Sequence, residues 1–167
     1  MPEDPLRNHW WWHSGPVAPG RAVVFDIDGV LADAQGRQHH LEWGRRDWDA
    51  FFEAAADDPV IREVETLLGL LDPVLQVLLV TARPRRIRDL TLSWLDHHEL
   101  RWDLLVMRPT REFSPAVGFK RDVVDELRDE GFTLELALED DPRNRAMYVD
   151  AGVPCLYVHS GYYEDRA

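Results

Sequence analysis

Arg21-Ala22-Val23-Val24-Phe25-Asp26-Ile27-Asp28-Gly29-Val30-Leu31 is the stretch on which the fold turns. Its first five residues are a short apolar, β-branched run of the kind that fills a buried strand. Two carboxylates follow, and Gly29 allows the backbone a sharp turn just beyond them. Four further runs read the same way: Val74 to Val80, Trp102 to Met107, Leu134 to Leu138 and Cys155 to Val158. Between them lie segments with helical spacing at Pro84 to His98, Arg121 to Asp129 and Pro142 to Ala151. Pro84 and Pro142 stand where a first-turn proline starts a helix, and Gly131 and Gly152 where a helix stops. Strands alternating with helices predict an α/β fold, a central parallel sheet of about five strands with helices on both faces. Ligands of such sheets bind beyond the carboxyl ends of the strands.

Those ends carry the chemistry. The first strand runs into Asp26 and Asp28, and the second into Thr81-Ala82-Arg83. Lys120 precedes the helix after the third strand, and the fourth ends in Glu139-Asp140-Asp141. Clustered carboxylates repel one another unless a hard cation sits among them. Mg2+ takes oxygen ligands and shares its shell with substrate phosphate. In that setting Asp26 can act as a nucleophile toward phosphorus and Asp28 as acid and base. Thr81 and Lys120 can hold the phosphoryl oxygens.

Composition narrows the partners. The chain has 167 residues, the size of one domain, and a net charge of −12, so its bulk field repels polyanions. A phosphate-bearing substrate therefore needs a metal or a local basic site. Lys120 is the only lysine among 19 basic residues, which singles out that position for a compact ammonium. No apolar run reaches the roughly 20 residues of a membrane span. The N-terminus lacks a secretory pattern, and the single cysteine, Cys155, excludes an internal disulfide. A cytoplasmic protein without membrane contact is the expectation. Residues 1–20, rich in Pro, Gly and Trp, read as an N-terminal tail or wrap, and 21–167 as a single domain. Within 32–73, His39 to Trp43 suggests a small flap, 47–56 a short helix and 59–71 the crossover helix, so any cap is minimal.

The motifs Phe25-Asp26-Ile27-Asp28-Gly29-Val30-Leu31, Val80-Thr81-Ala82-Arg83, Phe119-Lys120 and Glu139-Asp140-Asp141-Pro142, in this order, resemble those of the haloacid dehalogenase (HAD) superfamily of phosphatases. The resemblance covers about residues 21 to 161 and implies a Rossmann-like fold. It implies Asp26 as nucleophile, Asp28 as acid/base and as a metal ligand through its backbone carbonyl, and Asp140 as metal ligand. Asp141 or Glu139 would stand behind these ligands, the register of the acidic triplet being open by one residue. A closer resemblance rests on Asp47-Trp48-Asp49-Ala50-Phe51-Phe52, Asp58-Pro59-Val60, Thr91 to Leu95, Asp103 to Arg108 and Ser160-Gly161-Tyr162-Tyr163. These look like the 3′-phosphatase domain of polynucleotide kinase/phosphatase. Val30 departs from the Thr of many relatives. No Gly-x-x-x-x-Gly-Lys-Ser/Thr occurs, so a kinase or ligase activity would belong to a separate partner.

Around this core stand candidates with bland alternatives. Arg83, Arg108 and Arg111 are candidate substrate contacts, whereas Arg85, Arg86 and Arg88 fit a solvated helix face. Trp10-Trp11-Trp12 between His9 and His13 fits hydrophobic packing better than base stacking. Cys155 reads as a core residue. The functional expectation is a Mg2+-dependent phosphomonoester hydrolase, foremost a polynucleotide 3′-phosphatase acting on a DNA or RNA end. A small-molecule nucleotidase is the alternative, favoured by the acidic charge. A non-catalytic domain on this fold would have lost one of Asp26, Asp28, Thr81, Lys120 or Asp140, and all five are present.

Overall fold

A computed structural model describes residues 3–4, 7–42, 44, 46–110 and 114–164. Seven strands form one sheet: β1 (Glu3–Asp4), β2 (Arg7–Trp12), β3 (Arg21–Phe25), β4 (Gln76–Pro84), β5 (Leu104–Arg108), β6 (Thr133–Glu139) and β7 (Cys155–Tyr157). Their order is β1-β2-β5-β4-β3-β6-β7. The five strands β3 to β7 pair in parallel and correspond to the five runs read from the sequence. The helices are α1 (Trp48–Glu53), α2 (Arg62–Leu70), α3 (Arg88–His97), α4 (Ala116–Asp129) and α5 (Pro142–Asp150). Short 3-10 turns at Ala34–Leu41, Ala54–Asp57 and Arg85–Ile87 complete the connections. No helix among the described residues is long and apolar enough to cross a membrane.

The sheet separates two apolar cores. Val23, Phe25, Leu79, Leu105 and Trp94 belong to one, and Val24, Leu78, Val80, Val106 and Tyr148 to the other. Successive side chains of a strand point to opposite faces, so strands covered on both sides read as unbroken apolar runs.

The N-terminal segment differs from a tail. Arg7–Trp12 adds to the sheet antiparallel to β5, pairing Trp10 with Val106 and Trp12 with Leu104. Trp11 enters one core while Trp10 and Trp12 enter the other, all of them at most 4% exposed. Burial removes them as a stacking surface for bases. Arg85 and Arg88 lie over the Trp11 ring, their Cζ atoms 5.9 and 5.6 Å from its centre. Three boundaries also shift. Pro84 ends β4 rather than opening a helix, α3 starts at Arg88, and α4 starts at Ala116, so that Lys120 lies inside it. Pro142 does occupy the first turn of α5, and Gly131 and Gly152 take positive φ after helix ends. Trp43 of the expected flap and the candidate Arg111 lie outside the described residues.

Candidate active site

Asp26 and Asp28 follow β3, the middle one of the five parallel strands, where β4 and β6 flank them. Asp26 is 8% exposed and its Oδ1 accepts from the Ile27 amide at 2.8 Å. Lys120, 1% exposed, reaches in from α4, with Nζ 3.2 Å from that same Oδ1 and 2.7 Å from Glu139 Oε2. Burial alone would lower the Lys120 ammonium, but the Asp26 and Glu139 carboxylates outweigh it and hold Lys120 firmly protonated. Burial and the nearby Glu139 push the Asp26 carboxyl well above its ordinary range, with Lys120 pulling the other way.

Asp26, Glu139 and Asp140 each offer a carboxylate oxygen within 4.8 Å of the others. One ammonium faces three acids. Asp140 is fully buried, and neither of its carboxylate oxygens has a hydrogen-bond partner among the described residues. Burial and the charge of Asp26 raise its carboxyl to about 7, against smaller help from Ser160 and Lys120. Buried, unpartnered oxygen donors with surplus negative charge fit a hard divalent cation. The acidic triplet divides its work. Glu139 and Asp140 turn into the cluster, while Asp141 caps α5, its Oδ1 accepting from the Arg143 amide at 2.9 Å.

Gly29 sets the position of Asp140. Its φ is +81°, and a Cβ there would stand 2.0 Å from Asp140 Oδ2 and 2.5 Å from its Cγ. Asp140 is fully buried, which leaves its carboxylate little room to move aside. Gly29→Ala is therefore expected to lose at least about 100-fold in activity and about 1–3 kcal/mol in stability. Phosphate release and thermal melting check this; a variant with normal activity would show that Asp140 is not needed where it stands.

Asp28 is held quite differently. Arg83 donates to its Oδ1 through Nε at 3.0 Å and Nη2 at 2.7 Å, and Arg37 donates to the same oxygen at 2.5 Å. Burial raises the Asp28 carboxyl, but Arg83 and Arg37 overcome this and hold it at about 2. Arg83 is fully buried and also donates to Thr91 Oγ1. It thus stands behind Asp28, not on the cleft wall where the sequence suggested a substrate contact. Arg37 was not singled out in the sequence. It forks onto Asp58 and Asp28 from the 3-10 turn at Ala34–Leu41, and no motif spacing announces it.

Asp26, Asp28, Lys120 and Asp141 line a cleft of about 770 Å3, whereas Glu139 and Asp140 are wholly buried beside it. Thr81 lines it from β4, with its Oγ1 accepting from the Arg83 amide at 3.1 Å. Arg108 lines it from the end of β5. One wall is aromatic, built by Trp48, Phe51 and Phe52 of α1, and Tyr162 and Tyr163 enter from the segment after β7. Tyr162 donates to Asp33 Oδ1 at 3.0 Å.

A buried carboxylate, an ammonium and an acidic cluster at the carboxyl ends of a parallel sheet are the arrangement a HAD-type phosphatase calls for. The family model described as the polynucleotide kinase PNKP phosphatase domain matches residues 20–163, and the chain belongs to that family. Among solved structures, a chain of the Pnkp1/Rnl/Hen1 RNA repair complex aligns with a TM-score of 0.71 at 22% identity, over 89% of this chain and 45% of that one. The class C acid phosphatase from Bacillus anthracis aligns at 0.60 and 13% identity, over 91% of this chain and 71% of that one. A HAD-superfamily hydrolase from Geobacter sulfurreducens aligns at 0.55 and 15% identity, over 84% and 87%. These likenesses establish the fold. The chain spans about half the length of the RNA-repair chains it matches. No curated protein matches it.

Proposed function

We propose that this phosphatase removes a terminal 3′-phosphate from DNA or RNA, through a phosphoryl group carried transiently on Asp26. The observation that supports it most is the joining of two things in one cleft: Asp26 and Lys120, backed by the buried Glu139 and Asp140, and a wall of aromatic side chains. Asp26, Glu139 and Asp140 would hold a divalent cation, for which the all-oxygen donor set favours Mg2+. When bound, that ion supplies positive charge that keeps Asp26 ionised and draws in the phosphoryl oxygens.

A carboxylate oxygen of Asp26 attacks phosphorus, and the bond from phosphorus to the leaving 3′ oxygen breaks. Oδ1 already receives the Ile27 amide and Lys120, and Oδ2 takes neither of these bonds. Lys120 and Thr81 steady the phosphoryl oxygens as charge spreads onto them. In the second step water attacks the aspartyl-phosphate, gives its proton to Asp28, and leaves inorganic phosphate and free Asp26. The two arginines on Asp28 keep it anionic, the state a base needs. To act as the acid in the first step, Asp28 must first turn from Arg83 and Arg37 into the cleft, which it lines, and take up a proton from solvent there; it then passes that proton to the leaving oxygen and is again the carboxylate that the second step uses.

Phosphate release from 3′-phosphorylated and 5′-phosphorylated oligonucleotides and from mononucleotides, with Mg2+ and with chelator, tests the reading. The 3′-phosphorylated oligonucleotide should be the best substrate and chelator should stop the reaction. Turnover of mononucleotides alone would point to a nucleotidase. A kinase or ligase acting on the same ends would come from another domain or partner, since the RNA-repair neighbour is itself part of a multi-protein complex. A cytoplasmic site of action fits such a substrate.

A further inference from the structure

We propose that Trp48 is a stacking platform for the terminal nucleobase, so that the cleft selects a base-bearing end. This rests on the polynucleotide reading above. Trp48 is the first residue of α1 and is 43% exposed, unlike Trp10, Trp11, Trp12, Trp94 and Trp102, which are buried. It lines the same cleft as Asp26 and Asp28. One face of the indole is taken: Phe52 stacks on it at 5.8 Å and 26°, and Phe51 meets it edge-on at 5.7 Å and 84°. The exposure that remains is the open part of a ring already fixed from behind.

The platform is tied to the chemistry through packed groups. Phe51 is 5% exposed, and the Arg37 guanidinium carbon lies 4.2 Å from its ring centre. The same guanidinium holds Asp28. Asp47 caps α1, accepting from the Ala50 amide at 3.0 Å, and Arg86 pins Asp49 at 2.6 Å. Trp48, Phe51, Arg37 and Asp28 thus form one continuous contact chain, so a base resting on Trp48 has a fixed relation to the acid/base residue. A rigid, amphipathic ring with few rotors suits this use, because little side-chain freedom is lost on binding. Every base has a π-face, so such a platform tolerates sequence. Arg46 lines the cleft beside it and offers charge to the adjoining backbone.

The test compares two single-stranded oligonucleotides with the same 3′-phosphate, one ending in a normal nucleotide and one whose terminal residue lacks its base. Wild type should show a kcat/KM about 5-fold to 100-fold higher for the base-bearing end, mainly through KM. Trp48→Ala should bring that ratio close to one, and Trp48→Phe should recover most of it, with melting curves confirming that both variants fold. An unchanged ratio in Trp48→Ala, or a wild type that treats both ends alike, overturns the platform while leaving the 3′-phosphatase reading standing. Release of phosphate from neither oligonucleotide, with mononucleotides still turned over, overturns both.

Discussion

Asp26→Asn should abolish phosphate release, by at least about 10^4-fold, while leaving the fold intact. The amide keeps the shape of the carboxylate and can still accept from Ile27 N, and Lys120 keeps its 2.7 Å partner Glu139. What disappears is the atom that bonds to phosphorus. Acid-quenched wild-type protein turning over a labelled substrate should carry a hydroxylamine-labile phosphoryl group, and the Asn variant none. Full labelling of the variant would remove Asp26 from the nucleophile's role. Asp28→Asn should behave differently in two respects. Its rate loss should be about 10^2-fold to 10^4-fold, and larger for an alkyl than for an aryl leaving group, because the poorer leaving group depends more on a proton. It should also weaken the fold. Arg37 and Arg83 are at most 2% exposed, and without Asp28 they must share Asp58. Leaving buried charge under-compensated costs about 3–5 kcal/mol. Adjacent aspartates on one loop should thus separate cleanly, one variant inactive and stable, the other slower and fragile.

The parallel sheet was legible because its inner strands are buried on both faces and appear as unbroken apolar runs such as those within Arg21–Phe25 and Leu104–Arg108, while the edge strand Cys155–Tyr157 is largely exposed. Asp26, Thr81, Lys120 and Asp140 were legible because each sits at a strand end or the helix that follows, where topology alone gathers them. The same logic missed the strand at Trp10-Trp11-Trp12, although the hydrophobic packing expected of these rings is what they do. Three consecutive tryptophans have neither the alternation of a half-buried strand nor its β-branched residues, and only the tertiary pairing with β5 shows that both faces are covered. Arg83 illustrates a second limit. An arginine two residues past a strand-end threonine reads as a phosphate ligand, yet its guanidinium points back to Asp28. Arg37 was hidden for the opposite reason: it arrives from an irregular turn whose sequence has no period, and its role exists only through distant Asp58 and neighbouring Asp28. In the acidic triplet, the helix-capping part played by Asp141 was hidden because it depends on where α5 starts: its carboxylate accepts from the Arg143 amide while still lining the cleft.

Asp140→Asn should move stability and activity in opposite directions. In the metal-free protein the wild-type carboxylate is fully buried beside Asp26 and Glu139, and neither oxygen is hydrogen-bonded among the described residues. An amide removes one charge from this crowd and supplies N–H donors to the carboxylates that remain. The variant should therefore melt about 2–8 °C higher without metal, corresponding to about 1–2 kcal/mol. The sign with pH follows from the raised Asp140 carboxyl, about 7 in the folded chain against 3.8 as the ordinary value. Below pH 4 both states hold the proton and Asp140 contributes no pH dependence. As pH rises from about 4 to 7 the unfolded chain releases the proton while the folded chain retains it, so wild type loses stability across that window. The advantage of Asn should accordingly be small near pH 5 and complete above about pH 7. Adding Mg2+ should reverse the ranking. Wild type gains stability by binding the ion to its folded form alone, whereas Asp140→Asn, missing a charged donor, should show little or no shift and should lose at least about 10^3-fold in phosphate release. Melting curves at pH 5 and 8, with Mg2+ and with chelator, read all four corners. A variant less stable than wild type without metal, or one that keeps the full Mg2+ shift, would show that Asp140 is held by the protein for packing and not for a cation. The combination expected here, a site that costs stability when empty and returns it when filled, is what three buried acids around one lysine predict.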